Sequence, residues 1–387
     1  MKVGVDATSW VNRRGYGRFA RNSVARLVER DSETTYVMYI DQQTARTAGL
    51  PAGAETRKVQ LNRPPSEAAS STSSRSVGDL LRMTLAVRRD ALDAFLFPSI
   101  YTYFPVLGVP TVVGVHDAIP AELPDLTFPG ARARLLWRAK EKAALHGASR
   151  LFTVSEVSRT AISQKLGIAA SRLALVPEAP DPVFRPATPE AIGIARREVG
   201  LGEDEPFLLY AGGISPHKNV ETLIEAHALL GEGRPRLVVV GDLERETYWS
   251  AADSVRERIA AQGLEGDVLL PGFVGDQTLA ALYTGAVAVA NPSLAEGFGL
   301  PAVEAAACGA ATVLSDIEAH RATLGAAAVF FPPRDAARLA EEIGRLVADP
   351  ATRHEIGRRC REAVAHLTWD AAAESLQTLI HDAAGLS

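Results

Sequence analysis

The stretch Asn291-Pro-Ser-Leu-Ala-Glu296-Gly-Phe-Gly-Leu-Pro301-Ala-Val-Glu304-Ala305 places two carboxylates eight residues apart, on either side of a Gly-Phe-Gly-Leu-Pro turn. An apolar run over 286–290 precedes it and is typical of a buried parallel strand. Pro301 suits the first residue of a helix, where its missing N–H costs nothing. We therefore expect a strand, a turn that carries Glu296, and a helix that carries Glu304 in its first turns.

This strand–turn–helix pattern predicts an edge of a sheet at which a ligand binds. Backbone N–H groups near 298–300 would face the open end of the sheet, where a helix N-terminus attracts anions. Carboxylates in the same place accept hydrogen bonds from hydroxyl groups. A phosphorylated sugar presents both chemistries. The structural alternative is an ordinary helix start decorated with acids, which the helix dipole favours in any case.

Length and composition narrow the class of protein. A chain of 387 residues is too long for one ordinary core and predicts two domains. Hydrophobic content of 47% and charged content of 22% are normal for a globular protein, and the net charge of −5 gives no sign of a nucleic-acid binder. The two cysteines, Cys308 and Cys360, have no metal-type spacing, so neither a zinc site nor a disulfide framework is predicted.

The N-terminus and the apolar runs of the chain indicate where in the cell the protein is expected. The N-terminus is too short and too early to be a signal segment, and no apolar stretch approaches the length that a bilayer requires. We expect a cytoplasmic protein that touches the inner face of a membrane at most.

Short apolar runs alternate with longer helical patterns, which indicates βαβ units in both halves of the chain. Each half holds enough strands for its own doubly wound sheet. The predicted strands cover 2–6, 35–40, 94–97, 111–115, 150–154 and 172–176, then 206–211, 236–241, 267–270, 286–290, 311–314 and 328–331.

The boundaries follow from proline and serine content. The proline-dense segment 177–186 reads as a linker, so we predict domains over 1–180 and 181–368, with a terminal helix over 369–387 that packs back toward the first domain. The serine-rich segment 62–76 reads as a mobile surface loop.

A second motif follows the first strand of the second half. The turn Ala211-Gly212-Gly213-Ile-Ser-Pro-His217-Lys218-Asn219 combines backbone donors with one lysine, which is a plausible phosphate cradle. An ordinary turn with an exposed lysine is an equally good interpretation of this motif alone. Both motifs, however, follow strands of one proposed sheet, at the carboxyl edge where open α/β folds bind ligands.

Two motifs of the first half are weaker. His116-Asp117 follows the strand at 111–115, where a lone histidine is more often structural than catalytic. The pattern Gly15-Tyr16-Gly17-Arg18-Phe-Ala20, with Asp41 after the second strand, matches a dinucleotide fingerprint and its ribose acid. Because a long segment separates these glycines from the strand end near Asp6, we expect a flexible glycine loop over a cleft instead.

Basic side chains concentrate on a predicted helix near Trp137, beside Leu135 and Leu136, and again around 75–89. A solvated helix face is the favoured interpretation. Attraction to anionic lipid headgroups is the alternative. The residues concerned are Arg132, Arg134, Arg138, Lys140 and Lys142, and Arg75, Arg82, Arg88 and Arg89.

With its motifs placed, the chain resembles the large family of retaining glycosyltransferases, often called family four, that includes bacterial mannosyl- and glucosyltransferases and sucrose synthases. The resemblance covers nearly the whole chain and is most specific over 292–309, while the lysine turn, the His-Asp-x-x-Pro turn, Val154-Ser155 and Gly241-Asp242 fit in order. It implies the GT-B architecture, in which two Rossmann-like domains face a cleft.

The resemblance also implies roles for individual residues. Glu304 would hold the ribose hydroxyls of a nucleotide, Glu296 would contact the transferred sugar, and Lys218 would neutralise the diphosphate leaving group. His116 would contact the donor sugar, which makes His116, Glu296 and Lys218 the catalytic candidates. The donor-binding set is Gly212, Gly213, Lys218, Phe273, Val274, Glu296, Phe298, Gly299, Leu300 and Glu304, and the acceptor and phosphate set is Gly15, Tyr16, Gly17, Arg18, Asp117 and Ser155.

The chain departs from the family pattern in two places. Many relatives carry an arginine where this chain has Gly213, so that an arginine and a lysine share the diphosphate, whereas here His217 or Arg18 would have to assist Lys218. Ala179-Pro-Asp181 replaces a commoner Asn-Gly-Val-Asp turn. Some relatives with Lys-Asn at 218–219 lack the arginine too, so this departure does not predict inactivity.

The resulting hypothesis is a retaining, metal-independent glycosyltransferase that moves a sugar from a GDP- or UDP-sugar to the hydroxyl of a glycan, lipid-linked or small-molecule acceptor. It needs no cofactor, because amides and Lys218 would stabilise the leaving group as a cation would. A mannosyl-type enzyme with a GDP-sugar is slightly favoured. The alternatives are an NAD-dependent oxidoreductase that uses Gly15–Ala20 and Asp41, a catalytically silent binding protein, and, less consistent with the motifs, an epimerase or phosphorylase of the same fold.

Overall fold

Buried apolar runs form parallel strands throughout the computed structural model, which describes residues 1–12, 15–42, 44–62, 76–243 and 250–386. Most of the predicted loop at 62–76 lies outside these residues. The chain divides into two units, of which the first comprises Met1–Glu178 with Thr368–Ser387 and the second comprises Ala179–Leu367. Each unit is built on one parallel sheet, so the predicted pair of doubly wound Rossmann-like domains is confirmed.

The first unit contains a seven-stranded sheet in the order β3-β2-β1-β4-β5-β6-β7. Its helices connect successive parallel strands. The strands are β1 (Lys2–Asp6), β2 (Thr35–Asp41), β3 (Glu55–Val59), β4 (Ala94–Phe97), β5 (Thr111–Gly114), β6 (Arg150–Thr153) and β7 (Leu173–Leu175), and the helices are α1 (Gly15–Arg30), α2 (Val77–Arg89), α3 (Ile119–Glu122), α4 (Pro124–Thr127), α5 (Ala131–Gly147) and α6 (Glu156–Leu166).

Strand β3 is absent from the sequence prediction. Its residues Glu55-Thr-Arg-Lys-Val59 are exposed except for the last, because β3 lies at the edge of the sheet. A strand that buries neither face carries no apolar alternation, and its charged side chains protect the open edge from pairing with another chain.

The prediction of a flexible glycine loop at 15–20 is wrong. Gly15 begins helix α1, and Tyr16, Gly17 and Arg18 are buried in its first turn. A Cβ atom added at Gly17 would lie 2.1 Å from the carbonyl oxygen of Asn12. Gly17 is therefore required by the close packing of the helix against the segment before it, which is a structural reason for a glycine rather than flexibility.

The second unit contains a six-stranded sheet in the order β10-β9-β8-β11-β12-β13. Its strands are β8 (Phe207–Ala211), β9 (Arg236–Val240), β10 (Val268–Gly272), β11 (Ala288–Asn291), β12 (Thr312–Ser315) and β13 (Val329–Phe331). Its helices are α7 (Pro189–Glu198), α8 (Val220–Leu229), α9 (Ala252–Ala261), α10 (Asp276–Gly285), α11 (Leu300–Ala307), α12 (Glu318–Leu324), α13 (Ala336–Ala348) and α14 (Pro350–Val364).

The strand order of the second sheet reverses between β8 and β11, which are hydrogen-bonded neighbours. In an open parallel sheet, successive helices then lie on opposite faces, and a crevice opens at the carboxyl ends of these two strands. Both motifs singled out from the sequence begin at those two ends. The topology therefore concentrates the lysine turn and the two-glutamate turn at one position.

The last helix, α15 (Trp369–Ala384), belongs to the first unit although it follows the second in sequence. Trp369 packs edge-on against Phe19 of α1, with ring centroids 6.0 Å apart. Arg26 and Arg30 of α1 both form ion pairs with Asp370 at the start of α15. The first unit is thus assembled from two distant segments of the chain.

Candidate active site

Two loops meet at the switch point of the second sheet. The loop after β8 runs over 212–219 and the loop after β11 runs over 292–299. The backbone N–H of Leu294 donates to the carbonyl of His217 at 2.8 Å, and the side-chain amide of Asn219 donates to the carbonyl of Pro292 at 3.0 Å. These bonds hold the loops in one fixed arrangement.

Lys218 and Glu296 form a bidentate ion pair between the two loops. The Nζ atom of Lys218 lies 2.7 Å from Oε1 and 2.8 Å from Oε2 of Glu296. The hydroxyl of Ser293 lies 2.7 Å from Oε1, and the Glu296 side chain is 7% exposed. Burial would raise the pKa of Glu296, but the charge of Lys218, with lesser contributions from His320 and Ser293, lowers it below the usual value.

The turn after Glu296 leads directly into helix α11. Gly299 occupies the N-cap position with φ of +87°, a conformation that glycine adopts without strain. Within the part of the chain that the structure describes, no side chain caps this helix. Its first N–H groups, at the positive end of the helix dipole, therefore lie beside the ion pair and provide a place for an anion.

Glu304 lies one turn into α11 and is 3% exposed. Its charge acts on Cys308, one turn further along: burial and then Glu304 raise the pKa of this thiol to about 12. The apolar helix face around Glu304, with Val303 and Ala305 fully buried, fixes the backbone from which the carboxylate projects.

The lysine turn is closely approached by the loop after β9. A Cβ atom at Gly241, after β9, would lie 2.4 Å from the carbonyl oxygen of Gly212. The hydroxyl of Tyr210 donates to the carbonyl of Gly213 at 2.5 Å. These two contacts fix the backbone of the turn at Gly212 and Gly213. Of the two residues expected near a nucleotide base, Phe273 is 41% exposed, whereas the side chain of Val274 belongs to the core.

The remaining predicted residues belong to the first unit. His116 is buried after β5, and its Nε2 lies 2.8 Å from the carbonyl of Pro98. Because a carbonyl only accepts, this nitrogen carries the proton. Burial lowers the pKa of His116 to about 4, with the Pro98 carbonyl opposing. His116 is therefore a neutral ring with one nitrogen committed to the backbone, and Nδ1 lies 3.9 Å from Glu178.

Two other predicted residues of the first unit act as local caps. An Asp117 oxygen accepts from the N–H of Ile119 at 3.0 Å, and the Ser155 hydroxyl accepts from the N–H of Ser158 at 3.0 Å at the start of α6. Gly15, Tyr16, Gly17 and Arg18 lie in the first turn of α1. The structure thus groups Lys218, Glu296, Phe298, Gly299 and Leu300 in the second unit, while the proposed acceptor set lies in the first.

Sequence reasoning missed His320, which lies in α12 after β12 and is fully buried. Its Cδ2 atom would lie 3.1 Å from a Cβ on Gly299, directly beside the turn. The available signal was its position: it follows a strand of the same sheet at the same edge. A single histidine without a motif gave no reason to select it.

No group of three or more histidine, cysteine or acidic side chains that could hold a metal ion occurs among the residues described. Within those same ranges, no helix is both long and apolar enough to cross a membrane.

Two family models match the chain in succession. The model of the glycosyl transferase 4-like domain matches residues 14–179, and the model of glycosyl transferases group 1 matches residues 192–363. Together they span most of the chain, including every strand of the two sheets except β1. The dehydrogenase alternative, which rested on the Gly15–Ala20 pattern, is overturned by these matches.

Curated relatives and solved structures agree with the family models. O-antigen chain mannosyltransferase B of Escherichia coli is 27% identical over 284 residues, which cover 73% of this chain and 72% of that protein. Serotype-specific mannosyltransferase WbdA of Escherichia coli is 28% identical over 269 residues, 68% of this chain, but the chain spans only 33% of its length.

Among solved structures, sucrose-phosphate synthase from Thermosynechococcus elongatus shares the fold over 100% of both chains, with a TM-score of 0.78 and 20% identity. The resemblance inferred from the motifs is therefore confirmed by family models, relatives and fold. The chain belongs to the family-four glycosyltransferases of GT-B fold, enzymes that act on nucleotide sugars.

Proposed function

We propose that this enzyme transfers a mannose-type sugar from a GDP-sugar to a hydroxyl group of a glycan or lipid-linked acceptor, with retention of anomeric configuration and without a metal ion. One observation carries the proposal: Lys218 and Glu296 are paired at the N-terminus of α11, at the switch point of the second sheet, with Glu304 buried one turn further on. The mannosyl preference is supported by the mannosyltransferases among the relatives.

The chemistry requires stabilisation of a leaving group. The bond from the anomeric carbon to the diphosphate oxygen breaks through an oxocarbenium-like state, and its electron pair stays on the diphosphate. The acceptor oxygen forms the new bond to this carbon and gives up its proton to the departing diphosphate. Negative charge grows on the diphosphate, where fixed N–H groups of α11 and the Lys218 ammonium are most effective. In the free enzyme Lys218 is already paired with Glu296, so we propose that the diphosphate shares this ammonium with the carboxylate.

Glu304 is the proposed ribose ligand. A buried carboxylate accepts hydrogen bonds from two neighbouring hydroxyls, and its loss removes binding of the nucleotide irrespective of the sugar. We expect Glu304→Ala to weaken GDP binding by about 10²-fold, since a hydrogen bond to a charged group contributes about 1.5–3 kcal/mol. Isothermal titration calorimetry with GDP and UDP measures this loss.

Glu257→Ala, which removes an exposed glutamate on α9, is the matched control and should bind as the wild type does. Undiminished nucleotide binding by Glu304→Ala refutes its assignment. If the wild type binds neither nucleotide, the proposed donor class is wrong. A hydrolysis screen over GDP- and UDP-sugars with EDTA present then tests the sugar, the base and metal independence together, and also distinguishes an enzyme from a silent binding protein.

We further propose a peripheral contact between helix α5 and an anionic membrane surface, which would place the enzyme at the cytoplasmic face. Leu135 and Leu136 are 67% and 54% exposed on this helix, and exposed basic side chains surround them. Each basic residue near such a surface contributes about 1 kcal/mol. A variant in which glutamine replaces Arg132, Arg138 and Lys142 should bind phosphatidylglycerol vesicles about 10²-fold more weakly than the wild type.

Vesicle flotation measures this binding, with phosphatidylcholine vesicles as the neutral comparison. A control variant with the same change in net charge replaces three exposed arginines of the second unit, Arg256, Arg345 and Arg358. Equal losses in the two variants would mean that only the total charge matters, and the contact at α5 would be rejected.

A further inference from the structure

His320 is held in one tautomer by its surroundings. Its Nδ1 lies 3.0 Å from the carbonyl oxygen of Ser315 and 3.3 Å from the hydroxyl oxygen of the same residue. The Ser315 hydroxyl donates its own hydrogen to the carbonyl of Ser293 at 2.5 Å, so both contacts of Nδ1 are acceptors. Nδ1 therefore carries the proton, and in the neutral ring Nε2 is left with a lone pair.

The other side of the ring faces the glycine turn of the active site. Cδ2 and Nε2 would lie 3.1 and 3.6 Å from a Cβ atom on Gly299. His320 is completely buried, and within the described ranges Nε2 has no hydrogen-bond partner. A buried polar atom without a partner is uncommon and calls for an explanation. The edge of the His320 ring packs against the turn at Gly299.

A continuous set of hydrogen bonds links this histidine to the reacting groups. Ser315 contacts both His320 and Ser293, and the hydroxyl of Ser293 lies 2.7 Å from Glu296. The charged groups that act on His320 are Glu296 and Lys218. Burial lowers its pKa, the charge of Glu296 opposes this, and the charge of Lys218 adds to it. The ring is neutral at pH 7.

We propose that His320 is a positioning residue of the donor site, which supports the turn at 297–299 and the Glu296 carboxylate from beneath. The inference rests on the proposed function, because the turn and carboxylate are the groups expected to meet the transferred sugar and diphosphate. A neutral ring contacts Gly299 without adding charge. A protonated ring would place a second cation beside Lys218 and an N–H group against the turn.

The test compares His320→Ala with His320→Asn. The asparagine amide nitrogen occupies the place of Nδ1, so it still donates to Ser315, but it does not titrate. We expect kcat of His320→Ala to fall by about 10²-fold, as for a displacement of reacting groups by about 1 Å. GDP affinity should fall by less than about tenfold, because Glu304 still binds the ribose when the turn that meets the diphosphate is displaced. His320→Asn should recover only the part of kcat that depends on the bond to Ser315, because asparagine lacks the ring edge that contacts Gly299.

The pH profile separates positioning from a purely structural role. Because burial lowers the pKa of His320 below 6.5, wild-type kcat should be retained above that pH and lost as the pH falls through the pKa of the folded state. His320→Asn should lack this acid limb. Against the effect of burial, the charge of Lys218 lowers the pKa of Glu296 below its usual value, and burial lowers the pKa of His217 to about 3. Both groups are present in wild type and in His320→Asn, so an acid limb found only in the wild type belongs to His320.

A double-mutant cycle with Gly299→Ala supplies the second measurement. The added methyl group meets the ring of His320, so its cost in kcat should be smaller when position 320 is alanine, whereas independent sites give additive effects. Identical pH profiles for wild type and His320→Asn, or strict additivity in the cycle, overturn the proposal. If His320→Ala fails to fold, the pH profile of His320→Asn still tests the proposal. Absence of nucleotide binding by the wild type would instead reject the proposed function.

Discussion

Lys218 carries the cation that the proposed chemistry requires, yet its ammonium is already bound to both oxygens of Glu296. The sequence predicted the two residues as separate ligands, one for phosphate and one for sugar. Their pairing shows that the site is electrically balanced before a donor binds. The two carboxylate oxygens hold the ammonium in one orientation.

We expect Lys218→Ala to lower kcat by about 10²–10³-fold, because the leaving diphosphate loses a preorganised positive group. The same change leaves the Glu296 carboxylate without its counter-ion, and this raises its pKa. Steady-state kinetics on the donor from the hydrolysis screen gives the measurement. Lys218→Arg preserves the charge and should retain much more activity. Near-normal turnover by Lys218→Ala contradicts the leaving-group role.

Single site residues could be predicted from the sequence where a chemically suitable residue type occurs at a recognisable spacing from a strand end. Glu296, Glu304 and Lys218 could be selected because strand ends and glycines flank them. Their roles stay predictions. His320 could not be selected, because its contact with Gly299 joins residues on different elements and only the fold brings them together.

Among elements, the central strands were predictable and the edge strand was not. β8 and β11 bury both faces, so apolar runs mark them, whereas β3 exposes charged side chains to solvent. Helix α1 was also misjudged, because glycines at its start resembled a loop. Glycine spacing alone does not distinguish a flexible segment from one that another backbone approaches closely.

This interpretation of α1 predicts opposite effects for two glycine substitutions. Gly17→Ala places a methyl group 2.1 Å from a backbone carbonyl and should cost about 1–3 kcal/mol of unfolding free energy. Gly78→Ala, at an exposed position of α2, meets only the Ser76 hydroxyl at 3.8 Å and should stabilise by about 0.4–1 kcal/mol. Urea denaturation compares both with the wild type. A neutral Gly17→Ala contradicts the packing argument.

For the whole molecule, the assembly of the first unit from two chain segments determines what its stability depends on. Trp369 anchors α15 against α1 through a buried ring, while Asp370 contributes exposed ion pairs. We expect Trp369→Ala to destabilise the first unit by about 3–5 kcal/mol, as large-to-small changes in a core do. Asp370→Asn should have little effect, because solvent screens exposed pairs.

Intrinsic fluorescence and circular dichroism during urea denaturation follow both variants, and the second unit provides an internal reference because it lacks α15. Equal midpoints for Trp369→Ala and the wild type would show that the helix is not part of the cooperative unit. The sequence predicted a terminal helix but gave no measure of this dependence, which follows from the ring contact with Phe19.

The separation of α15 from its sheet has a consequence for biosynthesis. The ribosome synthesises every residue of the second unit before it synthesises α15. The second unit is therefore complete in sequence before the first unit is. Until α15 has been synthesised and has left the ribosome, the apolar surface around Phe19 lacks its cover and is open to chaperones or to neighbouring nascent chains. A chain truncated after residue 367 and released from the ribosome should therefore contain a protease-resistant second unit and a first unit that is digested.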